Sequence, residues 1–313
     1  MGLSPTALII RSRVDVLMRT DHSVLYVDKS EPEIVLKAET IWIDGKPYGP
    51  PSMGEETSSD LTREHEVYKA ISPHRHITNC LGIVHDDDGH AIALKLERAT
   101  KGNLRHIIEE TPVPPSIDPR LEMATTVAES ISHFHSRGVI WGDISTRNVL
   151  VFSDNTLKIC DFASSALSQT YPEFGPHTYE PAYCPALPEE QVGELSMMQR
   201  ELYALGSAIY EITEWKIPYA GIDGDTWEIV EAGIMPVIGS ENITGEIINR
   251  CWNSETFESF KEIHAFQDIT KVSLYPANIN IRKSVEVDSK RVVTDPPEPE
   301  LQLFAIFTVV EEL

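Results

Sequence analysis

The hydrophobic period of this chain changes near residue 100, and that change limits the folds open to it. From about Ser23 to Glu97 apolar residues alternate, in "SVLYVD", "EIVLKA" and "TIWID", then in "NCLGIVH" and "AIALKLE" on either side of the turn-rich "DDDGH". Alternation of this kind predicts strands, the last two as a hairpin. One helix is predicted among them, over "SSDLTREHEVYKAIS", with Ser and Asp capping candidates and Leu61, Val67 and Ile71 on its apolar side. The preceding "GKPYGPPSMGEETSS" reads as a Gly/Pro/Ser loop.

Beyond residue 100 the spacing becomes three and four. "IDPRLEMATTVAESISHFH" offers Asp118 as N-cap, Pro119 at the first helical position, and Leu121, Ala124, Ala128, Ile131 and His135 on one face. "RELYALGSAIYEIT" places Leu202, Leu205, Ile209 and Ile212 together, and "DTWEIVEAG" starts on the capping pair Asp225 and Glu228 and stops at Gly233. Strands followed by helices predict an α+β architecture of two unequal lobes, with the ligand in the cleft between them. The expected organisation is an N-terminal extension at 1–22, a strand-rich lobe at 23–98, a helical lobe at 99–265 and a tail of unsettled order at 266–313 that contains "VVTDPPEPELQ".

With 26 Lys and Arg against 49 Asp and Glu, the net charge of −23 repels phosphate backbones and anionic membranes. Nucleic acid is excluded as an expected partner, whereas a basic peptide or protein would be attracted. Cys80, Cys160, Cys184 and Cys251 form no CxxC pair, which points to a reduced, intracellular and cytoplasmic protein. "MGLSPT" fits the loose N-myristoylation pattern, one that many chains match by chance, and "ALII" is too short for a signal sequence. "LQLFAIFTVV" is half the length a bilayer span needs, so no transmembrane segment is expected.

Chemistry concentrates in "WGDISTRNVL", where Asp143 precedes Asn148 by five residues, and in "LKICDFAS", where Asp161 ends an apolar strand. Strand "VLVF", turn "SDNT" and strand "LKIC" would bring Asp161 back to Asn148, so that both could ligate one metal ion. Lys37 lies in the alternating strand "EIVLKAE", and the helix after it carries Glu64 and Glu66. Phosphoryl transfer needs such a set: a Lys on nucleotide phosphates, oxygen ligands for Mg²⁺, and a carboxylate at the attacking hydroxyl. A single Asp in a loop is usually a turn residue. Lys37, Asp143, Asn148 and Asp161 in this order are a different matter.

From roughly residue 23 to 265 the chain resembles a eukaryotic protein kinase domain. "IVLK" is similar to the strand Lys motif, "WGDISTRN" to the catalytic loop, and "DFA" to the metal-binding motif. "LERATKGNL" resembles the hinge, "PALPEE" the end of the activation segment, "ELYALGSAIYEI" the following core helix and "IINRCW" a late helix. The resemblance implies a bilobal kinase fold and transfer of the γ-phosphoryl group of ATP to a protein hydroxyl. It implies Lys37 on the phosphates with Glu64, less favourably Glu66, as its partner. Asp143 would be the base, Asn148 and Asp161 the Mg²⁺ ligands, Leu96 the gatekeeper, and the backbone of Glu97 and Ala99 the adenine receptor. Arg147, with Ser145 in place of a Lys, looks more like the tyrosine-kinase form of the loop.

Departures from the pattern are specific. No glycine occurs between Gly2 and Gly45, so "RTDHSVLYVD" stands where a glycine-rich phosphate loop would be. Ala163 stands for Gly, Trp141 and Gly142 stand for the His and Arg before the base, and Glu201 stands for an Asp. No Lys or Arg occurs from Ile159 to Gln199, so phosphorylation of Thr170, Tyr171 or Thr178 would find no local cation, and activity is expected not to need it. Glu189 lacks an Arg partner in "NSETFESFKEI", and these gaps together point to an unusually ended helical lobe. Two alternatives stand beside an active kinase: a pseudokinase that binds or scaffolds, favoured by the absent glycines, and a small-molecule phosphotransferase of the aminoglycoside and choline kinase type. His74, His76, His133 and His135 lack the companions of a zinc site, His135 facing the core, and Asp86 to Asp88 read as a solvated turn.

Overall fold

Residue-by-residue alternation becomes a five-stranded antiparallel sheet in the order β1 (Val14–Arg19), β2 (Val24–Asp28), β3 (Glu31–Ala38), β7 (Ala91–Glu97), β6 (Cys80–His85). The computed structural model describes residues 14–19, 23–38, 41–43, 46–48, 54–85, 87–172 and 179–253. All of them belong to the unit Met1–Tyr275, while the unit Pro276–Leu313 lies outside the described residues. "MGLSPT", Asp86, Thr178 and the 266–313 tail lie outside them as well.

Central position explains the burial. β3 pairs with β2 and β7 on its two sides, and Val35 to Ala38 are all buried. β6 and β7 form the expected hairpin, turning through Gly89 at φ +87°. β1 lies inside the stretch read as an extension; its Val16, Leu17 and Met18 are exposed, so no alternation announces it. Among the described residues β4 (Ile41–Ile43) and β5 (Lys46–Tyr48) pair only with each other.

Helix α1 runs Gly54–Ile71, so it begins well inside the segment expected to be a loop. Gly and Pro composition there signalled a breaker, but Pro50 and Pro51 precede the helix rather than interrupt it. Leu61, Val67, Tyr68 and Ile71 of α1 pack into the main core. The second lobe contains α2 (Leu104–Glu110), α3 (Ile117–Ser136), α4 (Glu189–Glu194), α5 (Met197–Glu214), α6 (Thr226–Glu231) and α7 (Gly245–Trp252). The cap of α3 is Ser116 rather than Asp118, which lies in the first turn, where its charge faces the positive end of the helix dipole.

α5 is buried on every side from Glu201 to Thr213 and starts with a full Ser196–Gln199 capping box. α6 starts on Asp225, whose carboxylate accepts from Trp227 N and Glu228 N, as the sequence predicts. Between α3 and α4 lie the elements of the site: β8 (Val139–Ile140), a 3₁₀ turn (Thr146–Asn148), β9 (Val149–Val151), β10 (Leu157–Ile159), β11 (Ala166–Leu167) and a second 3₁₀ turn (Pro181–Tyr183). Among the described residues no helix is long and apolar enough to cross a membrane.

Candidate active site

β9 and β10 pair antiparallel, Val149 opposite Ile159, and the tight turn between them uses Asn155 at φ +67°. That hairpin carries Asn148 at one end and Asp161 just beyond the other, and Cys160 N–H donates to Asn148 O at 3.0 Å. Asp161 itself has φ +62°, a left-handed conformation that Asp tolerates better than most residues. Asn148 ends the short turn capped by the Ser145 side chain. Its Nδ2 donates to Asp143 Oδ2 at 2.7 Å and to Asp143 O at 3.0 Å, which fixes the amide orientation.

The strand lysine reaches the same place from the sheet. Lys37 Nζ donates to Glu64 Oε1 and Oε2 at 3.0 and 2.9 Å and to Asp161 Oδ1 at 2.7 Å. Lys37 and Glu64 are 6% and 2% exposed, so each needs the other's charge. Burial disfavours the Lys37 charge, but Asp161 and Glu64 outweigh it and hold the ammonium well above the usual lysine range. Glu66 instead pairs with Lys69 at the surface.

Several partners had no sequence signal. Glu64 Oε1 also accepts from Phe162 N at 3.1 Å, and Arg63 Nη2 donates to Ala163 O at 2.9 Å, so α1 holds the two residues that follow Asp161. Trp141 Nε1 donates to Asp161 O at 2.7 Å, and Ser165 Oγ donates to Trp141 O at 2.7 Å. Trp141 thus ties the two loops together rather than leaving a gap. Glu201 is completely buried and accepts from Trp141 N, Gly142 N and His135 Nε2, at 3.2, 3.1 and 2.8 Å. A carboxylate one methylene longer than Asp still anchors the loop, so Glu201 is not a defect of the helical lobe.

Asp143 is pushed up to about 6, first by burial and then by the charge of Asp161, against the pull of the Asn148 hydrogen bond. Leu96 is buried in β7 opposite Val35, at the edge of this constellation. Glu97 N–H donates to Asn79 O at 3.0 Å, while its carboxylate takes Asn79 N at 2.7 Å and Lys158 Nζ at 2.6 Å. The Ala99 amide makes no hydrogen bond among the described residues. Thr170 and Tyr171 sit beyond β11, where Tyr171 N–H donates to Leu167 O at 2.7 Å.

Comparison with known proteins follows the same lines. A family model described as protein tyrosine and serine/threonine kinase matches residues 50–266, more than half of the chain. The chain belongs to the protein kinase family. A kinase named "Probable LIM domain-containing serine/threonine-protein kinase" from Dictyostelium discoideum is 29% identical over 174 residues, 53% of this chain and 26% of that protein. "Probable serine/threonine-protein kinase PknB" from Lactococcus lactis is 31% identical over 119 residues, 36% of this chain and 18% of that protein. The chain therefore spans about a quarter or less of these relatives. The kinase family match begins after Lys37, so the lysine joins the site on geometry alone.

His74 packs against His76 and His133, and no metal-binding group of three is present among the described residues. His74 stacks on His133 with ring centroids 4.3 Å apart, and His76 N donates to His74 Nδ1 at 3.3 Å. Burial, then the neighbouring His133, His76 and Arg75, lower His74 to about 4 against the pull of Glu129. Its folded value lies below its unfolded one, so the unfolded chain takes up this proton first as pH falls. Stability from neutral His74 is fully present above about pH 6.5 and lost towards pH 4, roughly 1 to 2 kcal/mol after allowing for partial exposure. Thermal melts of wild type and His74→Gln between pH 7 and 4 should converge as pH falls; parallel curves would refute this.

Proposed function

We propose that this chain transfers the γ-phosphoryl group of ATP to a hydroxyl side chain of a basic protein substrate, with Asp143 as the base. The observation that carries the proposal is the Lys37 contact to both Glu64 and Asp161, beside an Asp143–Asn148 hydrogen bond. Catalysis of this reaction is mostly positioning and charge stabilisation, which such a preset constellation supplies. Lys37 would bind the phosphates, and Asp143 would accept the proton of the attacking hydroxyl. Its depressed acidity puts the working form above about pH 6.

The donor set fits Mg²⁺. Asn148, with Nδ2 engaged by Asp143, presents an amide oxygen, and Asp161 adds a carboxylate. Hard oxygen ligands of this kind suit a cation that completes its shell with water and phosphate oxygens. When bound, Mg²⁺ would neutralise charge on the phosphates. The Glu97 carbonyl and the Ala99 N–H would receive adenine, with Leu96 shaping the pocket behind it. The Glu97 N–H is already taken by Asn79.

A basic substrate suits the net charge of −23. The relatives are named serine/threonine kinases, which favours an alcohol acceptor, although Arg147 stands where tyrosine-kinase loops have it. One observation favours a non-catalytic, binding role. β1 pairs with β2 through Arg19 opposite Val24, and the sequence between them, Thr20 to Ser23, contains no glycine. Labelled-phosphate transfer from ATP to a basic protein, with and without chelation of Mg²⁺, decides between them. Magnesium-dependent incorporation supports the kinase; ATP binding in a thermal-shift assay with no incorporation supports the binding module.

A further inference from the structure

Arg105, on α2, is 8% exposed and faces two carboxylates from separate elements. Its Nη2 donates to Glu180 Oε1 at 2.7 Å and to Glu211 Oε2 at 2.9 Å, and its Nη1 donates to Glu180 Oε2 at 3.2 Å. Its Nε donates to Glu211 Oε1 at 2.5 Å and to Thr146 Oγ1 at 3.1 Å. Glu211, completely buried on α5, also accepts from Thr146 Oγ1 at 2.5 Å and from Tyr183 Oη at 2.8 Å. Glu180 accepts from Ser145 Oγ at 2.7 Å and lies 3.6 Å from Arg147 Nε. One guanidinium therefore joins α2, the loop that carries Asp143, the segment 179–184 and the core helix.

We propose that Arg105 and Glu180 are positioning residues: the Glu180 carboxylate tethers segment 179–184 to the loop that carries Asp143, and Arg105 is the cation held between Glu180 and Glu211. Segment 159–199 contains no Lys or Arg, so any cation that fixes it must come from elsewhere in the fold. Arg105 and Arg147 do so, and the anion they hold is a side chain rather than a modification. The planar fork of Arg105 grips each carboxylate through two of its nitrogens, whereas a lysine has a single nitrogen to share between them. Burial would raise the Glu180 carboxyl, but Arg105, Ser145 and Arg147 hold it below the usual carboxylate range. Without Arg105 the two carboxylates would face each other with little water between them.

The kinetic consequence rests on the phosphotransfer reading; the ordering of the loop does not. Hydrogen exchange on the full chain follows the Tyr183 and Cys184 amides, which donate to Glu180 O and Pro181 O at 2.8 and 3.1 Å. Glu180→Gln should speed exchange about tenfold or more in peptides covering 179–184 and 143–148 while those of α5 and the sheet stay as in wild type. In the transfer assay it should lower kcat about 100-fold with the KM for ATP unchanged, Glu180→Asp recovering part of the loss. Arg105→Lys should fall between wild type and Glu180→Gln. Phosphatase treatment should leave wild-type turnover intact. Unchanged exchange in Glu180→Gln, loosening spread through the whole fold, or phosphatase-sensitive turnover would overturn the assignment. A wild type that transfers no phosphate would sink the functional proposal alone, and exchange would still decide the tether.

Discussion

Lys37→Met should both unfold the chain more easily and abolish most phosphate transfer. Lys37 is the cation for Glu64 and Asp161, with Glu64 only 2% exposed, so its removal strands a buried carboxylate. Breaking one side of a buried pair costs about 3 to 5 kcal/mol. At roughly 2 to 4 °C per kcal/mol for a domain of this size, the melting temperature should fall by about 10 °C. Loss of a preset charge on the phosphates should lower kcat/KM roughly 100- to 1,000-fold. The double variant Lys37→Met, Glu64→Gln removes the stranded charge, so it should regain much of the stability and none of the activity. A single variant that melts and turns over like wild type would contradict the site as described.

Asp143→Asn should have the opposite sign on stability. The carboxyl rises from 3.8 to about 6 in the folded state, so folding favours its protonated form. Its stabilising contribution is present below about pH 3.8 and lost as pH rises through 6; at neutral pH the carboxylate is a burden. That shift corresponds to about 3 kcal/mol at pH 7, by roughly 1.4 kcal/mol per unit. Asn keeps an oxygen for the Asn148 Nδ2 donor and carries no charge. The variant should therefore melt several degrees higher at pH 7, with the gain nearly gone at pH 4, while kcat falls about 100- to 10,000-fold. A lower melting temperature at pH 7, or retained turnover, would remove Asp143 from the role of base. Stability gained where activity is lost is the usual mark of a site held in a costly state.

Local spacing made the centre of this site legible. Asn148 and Asp161 flank a hairpin whose strands and turn have sequence signatures, so their proximity follows from short-range chemistry. Lys37 and Glu64 were legible as a pair because each lies in an element with a clear period. The strand-to-helix change near residue 100 likewise specified the α+β architecture. Composition misled at α1, where glycines and prolines just before the helix looked like a loop that continued. The cap of α3 moved to Ser116 because caps are chosen by backbone geometry among several suitable residues.

Periodicity and hairpin spacing act over a few residues, so they were enough for the class of fold, for most strands of the large sheet and the long helices, and for placing Asn148 beside Asp161. Which distant charges meet is a matter of packing instead. Arg105 lies 106 residues from Glu211 and 75 from Glu180, and nothing in "GNLRHII" separates a buried bidentate arginine from a solvated one. Glu201 beneath Trp141 and Gly142, and the Trp141 indole on Asp161 O, follow the same rule. Hydrophobic periodicity says which face turns inward. The partner of a buried charge is selected by packing, because a charge removed from water needs a nearby partner, whatever its distance along the chain.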